Sequence, residues 1–84
     1  MPTSLKISIE CIDNEDSGEW TVQRREHNKF FIDDLFVSRN KKEALQAFLE
    51  IKHQISKKYF TIIKEDYLGD YAVCEFEAID NVFN

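Results

Sequence analysis

The run Asn40-Lys41-Lys42-Glu43-Ala44-Leu45-Gln46-Ala47-Phe48-Leu49-Glu50-Ile51-Lys52-His53-Gln54-Ile55-Ser56-Lys57-Lys58-Tyr59 decides the fold. Its apolar positions Ala44, Leu45, Ala47, Phe48, Ile51, Ile55 and Tyr59 fall within one stripe at helical spacing. Glu43, Gln46, Glu50, His53, Gln54 and Lys57 form the opposite, wet side. Leu49 and Lys52 flank the stripe, and the Lys52 methylenes can lie along apolar surface while the ammonium stays in water. Ser38, just upstream, has the hydroxyl that an N-cap requires. One amphipathic helix with one buried side needs a second layer to cover that side.

That layer is written on both sides of the helix with a period of two. Leu5, Ile7, Ile9 and Cys11 alternate with Lys6, Ser8 and Glu10, the pattern of a half-buried strand. The segment 13–18 supplies turn chemistry, and Trp20 and Val22 then alternate with Thr21, Gln23 and Arg25. A turn at 26–29 leads to a third strand that starts at Phe30 and bends at Asp33-Asp34 before Leu35-Phe36-Val37. After the helix, Phe60 to Lys64 reads as strand and 66–70 as turn. In the last strand, 71–79, Ala72, Cys74, Phe76 and Ala78 alternate with Tyr71, Val73, Glu75 and Glu77. The expected fold is α+β, one domain over residues 1–84. It is a mostly antiparallel sheet of four or five strands, in chain order βββαββ, with the helix on one face.

Composition narrows the function classes. Hydrophobic residues make up 43% of 84 and aromatics 13%, which excludes a disordered chain. No segment resembles a secretory leader or a membrane span, and Cys11 and Cys74 read as buried free thiols of a cytoplasmic protein, with a single Cys11–Cys74 bridge as the alternative. The net charge is −5, distributed unevenly: −4 over residues 1–38, +4 over 39–58 and −5 over 59–84. The strands and their turns therefore carry the acid, and long-range repulsion disfavours nucleic acid and anionic membrane as partners. If the helix covers one sheet face, the other is left to solvent or to a partner. Glu10, Phe31, Asp33, Tyr71, Val73, Glu75 and Glu77 are expected there, acids interleaved with apolar side chains.

No catalytic or metal constellation emerges. Asp13, Glu15, Ser17 and Gly18 match the opening positions of a calcium loop, but the closing position is Arg24, and the flanks are strands instead of helices. His27 and His53 have no ligand at a supporting spacing, and no Ser, Thr or Cys sits beside an oriented base. Gly18 and Gly69 do not make a phosphate loop. Arg39, Lys41, Lys42, Lys57 and Lys58 are split between the helix ends, without the stacking aromatics of a nucleic-acid face. The chain reads as a binding protein without cofactor or metal, and not as an enzyme.

Two resemblances add to this. Asp34-Leu35-Phe36-Val37-Ser38 followed by Lys42-Glu43-Ala44-Leu45 resembles the strand-to-helix crossing of HicB-type antitoxins, without the glycine usual there. In size, charge and architecture the chain is similar to small acidic phage-encoded inhibitors, the anti-CRISPR and anti-restriction proteins. That resemblance implies a protein that inhibits or regulates a basic, nucleic-acid-handling complex by occupying its Arg/Lys-lined surface. The residues expected to make contact are Asp13, Glu15, Asp16, Glu19, Phe31, Asp33, Tyr71, Val73, Glu75 and Glu77. A monomer is expected. The alternative is an antitoxin-like or homodimeric module whose open face meets a second copy.

Overall fold

A computed structural model describes residues 6–27, 32–57, 60–69 and 71–78. Its elements are β1 (Lys6–Asn14), β2 (Glu19–Glu26), β3 (Ile32–Ser38), α1 (Lys41–Ser56), β4 (Phe60–Leu68) and β5 (Tyr71–Ala78). The α+β fold and the order βββαββ read from the sequence are present. The strands form one sheet in the order β3-β2-β1-β5-β4, with every neighbouring pair antiparallel. The helix joins the two edge strands, so the chain crosses one face of the sheet between β3 and β4. Leu5, Phe30, Phe31, Tyr59 and Ile79, assigned above to strands or the helix, lie outside the described residues.

Alternation and helical stripe meet in a single core. Ile7, Ile9 and Cys11 of β1, Val22 of β2 and Ala72, Cys74 and Phe76 of β5 pack against Ala44 and Phe48 of α1. Trp20, Phe36, Leu45, Ala47, Ile51, Ile55, Phe60 and Ile62 close its margin. Phe48 is fully buried at the centre and meets the Tyr67 ring edge-to-face, with centroids 6.0 Å apart. Cys11 and Cys74 are buried free thiols, and burial raises both, Cys74 to about 11. As protonated thiols at neutral pH they are weak nucleophiles.

Three local expectations are corrected. The N-cap is Asn40, whose side chain accepts from the Lys42 and Glu43 amides at 2.9 and 3.4 Å. Ser38 instead ties the approach down: its hydroxyl accepts from the Asn40 amide at 3.0 Å and donates to the Glu43 carboxylate at 2.8 Å. The stretch 66–68 is strand, because Asp66, Tyr67 and Leu68 pair with Val73, Ala72 and Tyr71, which leaves Gly69 at the turn. The third correction concerns both edge strands, each of which carries a bulge. Val22 pairs with Phe36 but Gln23 with Asp34, so Leu35 is extra; Phe76 pairs with Ile62 but Glu75 with Lys64, so Ile63 is extra. One inserted residue exchanges the two faces for everything beyond it.

The β4 bulge turns Glu65 and Tyr67 toward the helix. There the Lys52 ammonium donates to Glu65 Oε1 at 2.6 Å and to the Tyr67 hydroxyl at 3.2 Å, while that hydroxyl donates to Glu65 at 2.5 Å. The Lys52 bond, and then that of Tyr67, hold the Glu65 carboxyl below its ordinary value of 4.5. The bonds to Glu65 and Tyr67 hold Lys52 above 10.5. A carboxylate depressed in the fold stabilises above its unfolded pKa and loses that contribution as pH falls through its folded value. A raised lysine stabilises below its unfolded pKa and loses that contribution as pH rises through its folded value. The triad therefore contributes fully between the two ordinary values and fades on either side. Glu65→Gln is expected to lower the urea midpoint slightly at pH 7 and to make its fall between pH 5 and 3 shallower. An acid limb as steep as that of the unsubstituted protein would contradict the linkage.

Candidate functional site

The face opposite α1 is bare among the described residues, and the ladder registers arrange it in rows. Paired residues of an antiparallel ladder share a face, so each row can be read from strand to strand. Nearest the β1–β2 turn, Val37, Thr21, Ile12, Tyr71 and Leu68 run from β3 to β4 as an apolar row broken only by the small Thr21. The second row is Asp34, Gln23, Glu10, Val73 and Asp66. The third is Ile32, Arg25, Ser8, Glu75 and Lys64, and beyond it Lys6, Glu77 and Thr61 complete the face.

The apolar row has acids on both sides. Below it lie Asp34, Glu10 and Asp66; above it, over β1 and β2, lie Glu19, paired with Asn14, and the turn residues Glu15 and Asp16. The turn is tight: the Ser17 and Gly18 amides both donate to the Asn14 carbonyl, at 3.2 and 2.9 Å, with Gly18 at φ 73°. Positive φ is what glycine tolerates, and it folds the acidic turn back over the sheet end. Between turn and acidic row lies an open depression of about 500 Å³, floored by Ile12 and Thr21 and framed by residues 13–16, Gln23 and Asp34. Gln23 holds Asp34 in place through its amide, which donates at 3.1 Å. Exposure rises toward the edges, from buried Thr21 through half-buried Ile12 and Tyr71 to Val37 at 46% and Leu68 at 65%.

The acids are not equivalent. Glu75 has Lys64 directly across the ladder and Glu77 has Lys6, so part of their charge is matched within the face. Lys64 also lies 3.9 Å from Asp66. Glu10 has Gln23 and Val73 across from it, neither a cation. Burial is the first cause of the raised Tyr71 phenol, followed by the charge and hydrogen bonding of Glu10 and then the charge of Glu75. That hydroxyl remains a donor throughout the neutral range.

Of the residues expected to make contact, Tyr71, Glu75 and Glu77 share the bare face in half-buried positions, and Glu15, Asp16 and Glu19 border its apolar row; Val73 lies on the same face but is buried between its neighbours, 7% exposed, and offers a partner little surface. Asp13 frames the depression from the rim, since its partner Trp20 belongs to the helix-covered side. Asp33 is on the other face: the β3 bulge pairs it with Arg24, which pairs with the fully buried Ile9. Asp34 takes its place. Phe31 lies outside the described residues. Ile12, Val37, Leu68 and Asp66 were not anticipated as contact residues. Ile12 carried a signal, being the one apolar side chain on the wet side of β1, whereas Leu68 and Asp66 reach this face only because of the bulge at Ile63.

On the helix side of the same end, Lys41 donates to the Gly69 carbonyl and lies 5.3 Å from the Trp20 ring centroid. It spans a cleft of about 110 Å³ whose lining includes Cys11, Leu45 and Tyr67. This destination explains a cation in the first helical turn, where the helix dipole opposes one. Among the described residues no three His, Cys, Asp or Glu side chains are grouped to hold a metal ion, and no helix is long and apolar enough to cross a membrane. Comparison with family models, with curated proteins and with solved structures finds no match for this chain.

Proposed function

We propose that the protein is a small acidic binding module which inhibits or regulates a basic, nucleic-acid-handling protein by occupying its Arg/Lys-lined surface. One observation carries the reading: a bare sheet face on which an apolar row runs between two lines of acids. The row exposes Val37 and Leu68 at its ends with half-buried Ile12 and Tyr71 between them, a surface that a partner can cover, and flanking carboxylates select a partner with basic flanks. The site of action is the cytoplasm, where buried, protonated Cys11 and Cys74 persist as thiols. A second copy is a poorer occupant, because stacking two such faces sets carboxylate rows against carboxylate rows. Sedimentation at micromolar concentration is expected to give a monomer near 10 kDa, and a stable dimer would put the homodimeric module first.

The test uses the partner captured from the native host, with surface-plasmon kinetics at two ionic strengths. Glu10→Lys is expected to slow association several-fold and to flatten its salt dependence, since rim charge acts mainly on the on-rate. Glu75→Lys with Glu77→Lys is expected to do the same more weakly, each being partly matched by a lysine. Unaltered kinetics in both variants, with loss of binding in Lys42→Glu or Lys57→Glu, would transfer the working surface to the helix.

A further inference from the structure

We infer that the element received by this face is a single amphipathic helix with basic flanks, lying along the apolar row and across the strands. The inference rests on the reading above and adds the shape of the occupant. Two features of the row support it, its length and its spacing. Neighbouring strands are about 4.8 Å apart, so five of them make a row of about 19 Å, which a helix spans in about 13 residues. Successive apolar side chains along one helix side recur about every 5.4 Å, close to the strand spacing, so each can meet one of Val37, Ile12, Tyr71 and Leu68, with Thr21 leaving room at the floor.

The flanks agree. Adjacent rows on one face are two residues, or about 7 Å, apart. That places Glu10, Asp34 and Asp66 within reach of lysines or arginines on one side of a docked helix. Glu15, Asp16 and Glu19 do the same for the other side, over β1 and β2. An extended segment laid along a strand would fit worse. It would cross the apolar row, the acidic row and the mixed row in turn, and could follow none of them. The depression under the turn lies at the β1–β2–β3 half of the row and is framed by Asp13, Glu15, Asp16 and Asp34, so a long basic side chain of the helix belongs there.

The probe is a synthetic peptide of about 14 residues, with leucines at helical spacing and lysines on both flanks. It is titrated into the full chain by calorimetry and followed by circular dichroism. Its controls are an isomer of the same composition with the stripe scrambled and a copy with glutamate replacing lysine. One-to-one binding is expected, with a gain of helix and at least tenfold preference over either control. Tyr71→Ala or Leu68→Ser should remove most of the affinity, while Leu49→Ser on the exposed helix should not. Equal binding by the scrambled isomer, or binding without a gain of helix, would overturn the inference. If the captured partner depends on Tyr71 but the helical peptide does not compete with it, the helix is wrong and the acidic face stands. If the partner ignores Tyr71, Leu68 and Glu10 together, both fall.

Discussion

Truncating Phe48 to alanine is expected to cost about 3–5 kcal/mol, the usual range for deleting a buried aromatic ring. The ring is fully buried and is the largest helix side chain in the core, with Tyr67 against its edge. The sheet beneath is held by paired strands and cannot collapse into the space, so both lost transfer energy and residual cavity count against the variant. Small domains have about 5–15 kcal/mol in total, so a large share of the stability goes with this one ring. Equilibrium urea unfolding measures it. Leu49→Ala, one residue further on but 40% exposed, is expected to change the midpoint little. A Phe48→Ala midpoint equal to that of the unsubstituted protein would contradict the packing of α1 on the sheet.

That core was legible in the sequence because its signals are periodic. The helical stripe around Phe48 and the alternation of Ile7, Ile9 and Cys11 or of Ala72, Cys74 and Phe76 each specify a buried side without reference to the rest of the chain. Element order followed from the change of period. The working face was legible only on the three inner strands, where alternation runs unbroken from Lys6 to Asn14, from Glu19 to Glu26 and from Tyr71 to Ala78. On the edge strands it depended on bulges at Leu35 and Ile63, and no residue type there announces an inserted position. Hence simple alternation places Asp33 on the face that Asp34 occupies, and the residue types at 66–70 point to a turn where Asp66 and Leu68 are strand. The Lys52–Glu65–Tyr67 triad was hidden for the same reason: its β4 members face the helix only after the bulge. Strand order was also beyond reach, because pairing β1 with β5 joins segments at opposite ends of the chain.

The bulges also connect architecture to function. Each edge strand delivers its inner half to the core and then exchanges faces. The apolar row thus gains Leu68 at one end, and the acidic row gains Asp34 and Asp66 at its two ends. Without the exchange, Leu68 would face the helix and the bare face would lose its most exposed apolar side chain. Continuous pairing would also turn Tyr67 away from Phe48 and Glu65 away from Lys52, and would leave a shorter contact row.

The central claim is that this row, and not the helix, meets the partner, and Tyr71 is where the claim is most exposed to test. Tyr71 lies between Ile12 and Leu68 in the apolar row, one step from Glu10, and is half-buried before any partner arrives. A desolvated aromatic at the middle of an interface is worth roughly 2 kcal/mol or more, about 30-fold in Kd. Its loss appears in dissociation, because truncation leaves the steering charges in place. The direct measurement is surface-plasmon kinetics of Tyr71→Ala against the captured partner, with circular dichroism confirming that the fold is intact. The account predicts dissociation faster by more than tenfold with association nearly unchanged. A folded Tyr71→Ala protein that dissociates at the rate of the unsubstituted one would contradict it.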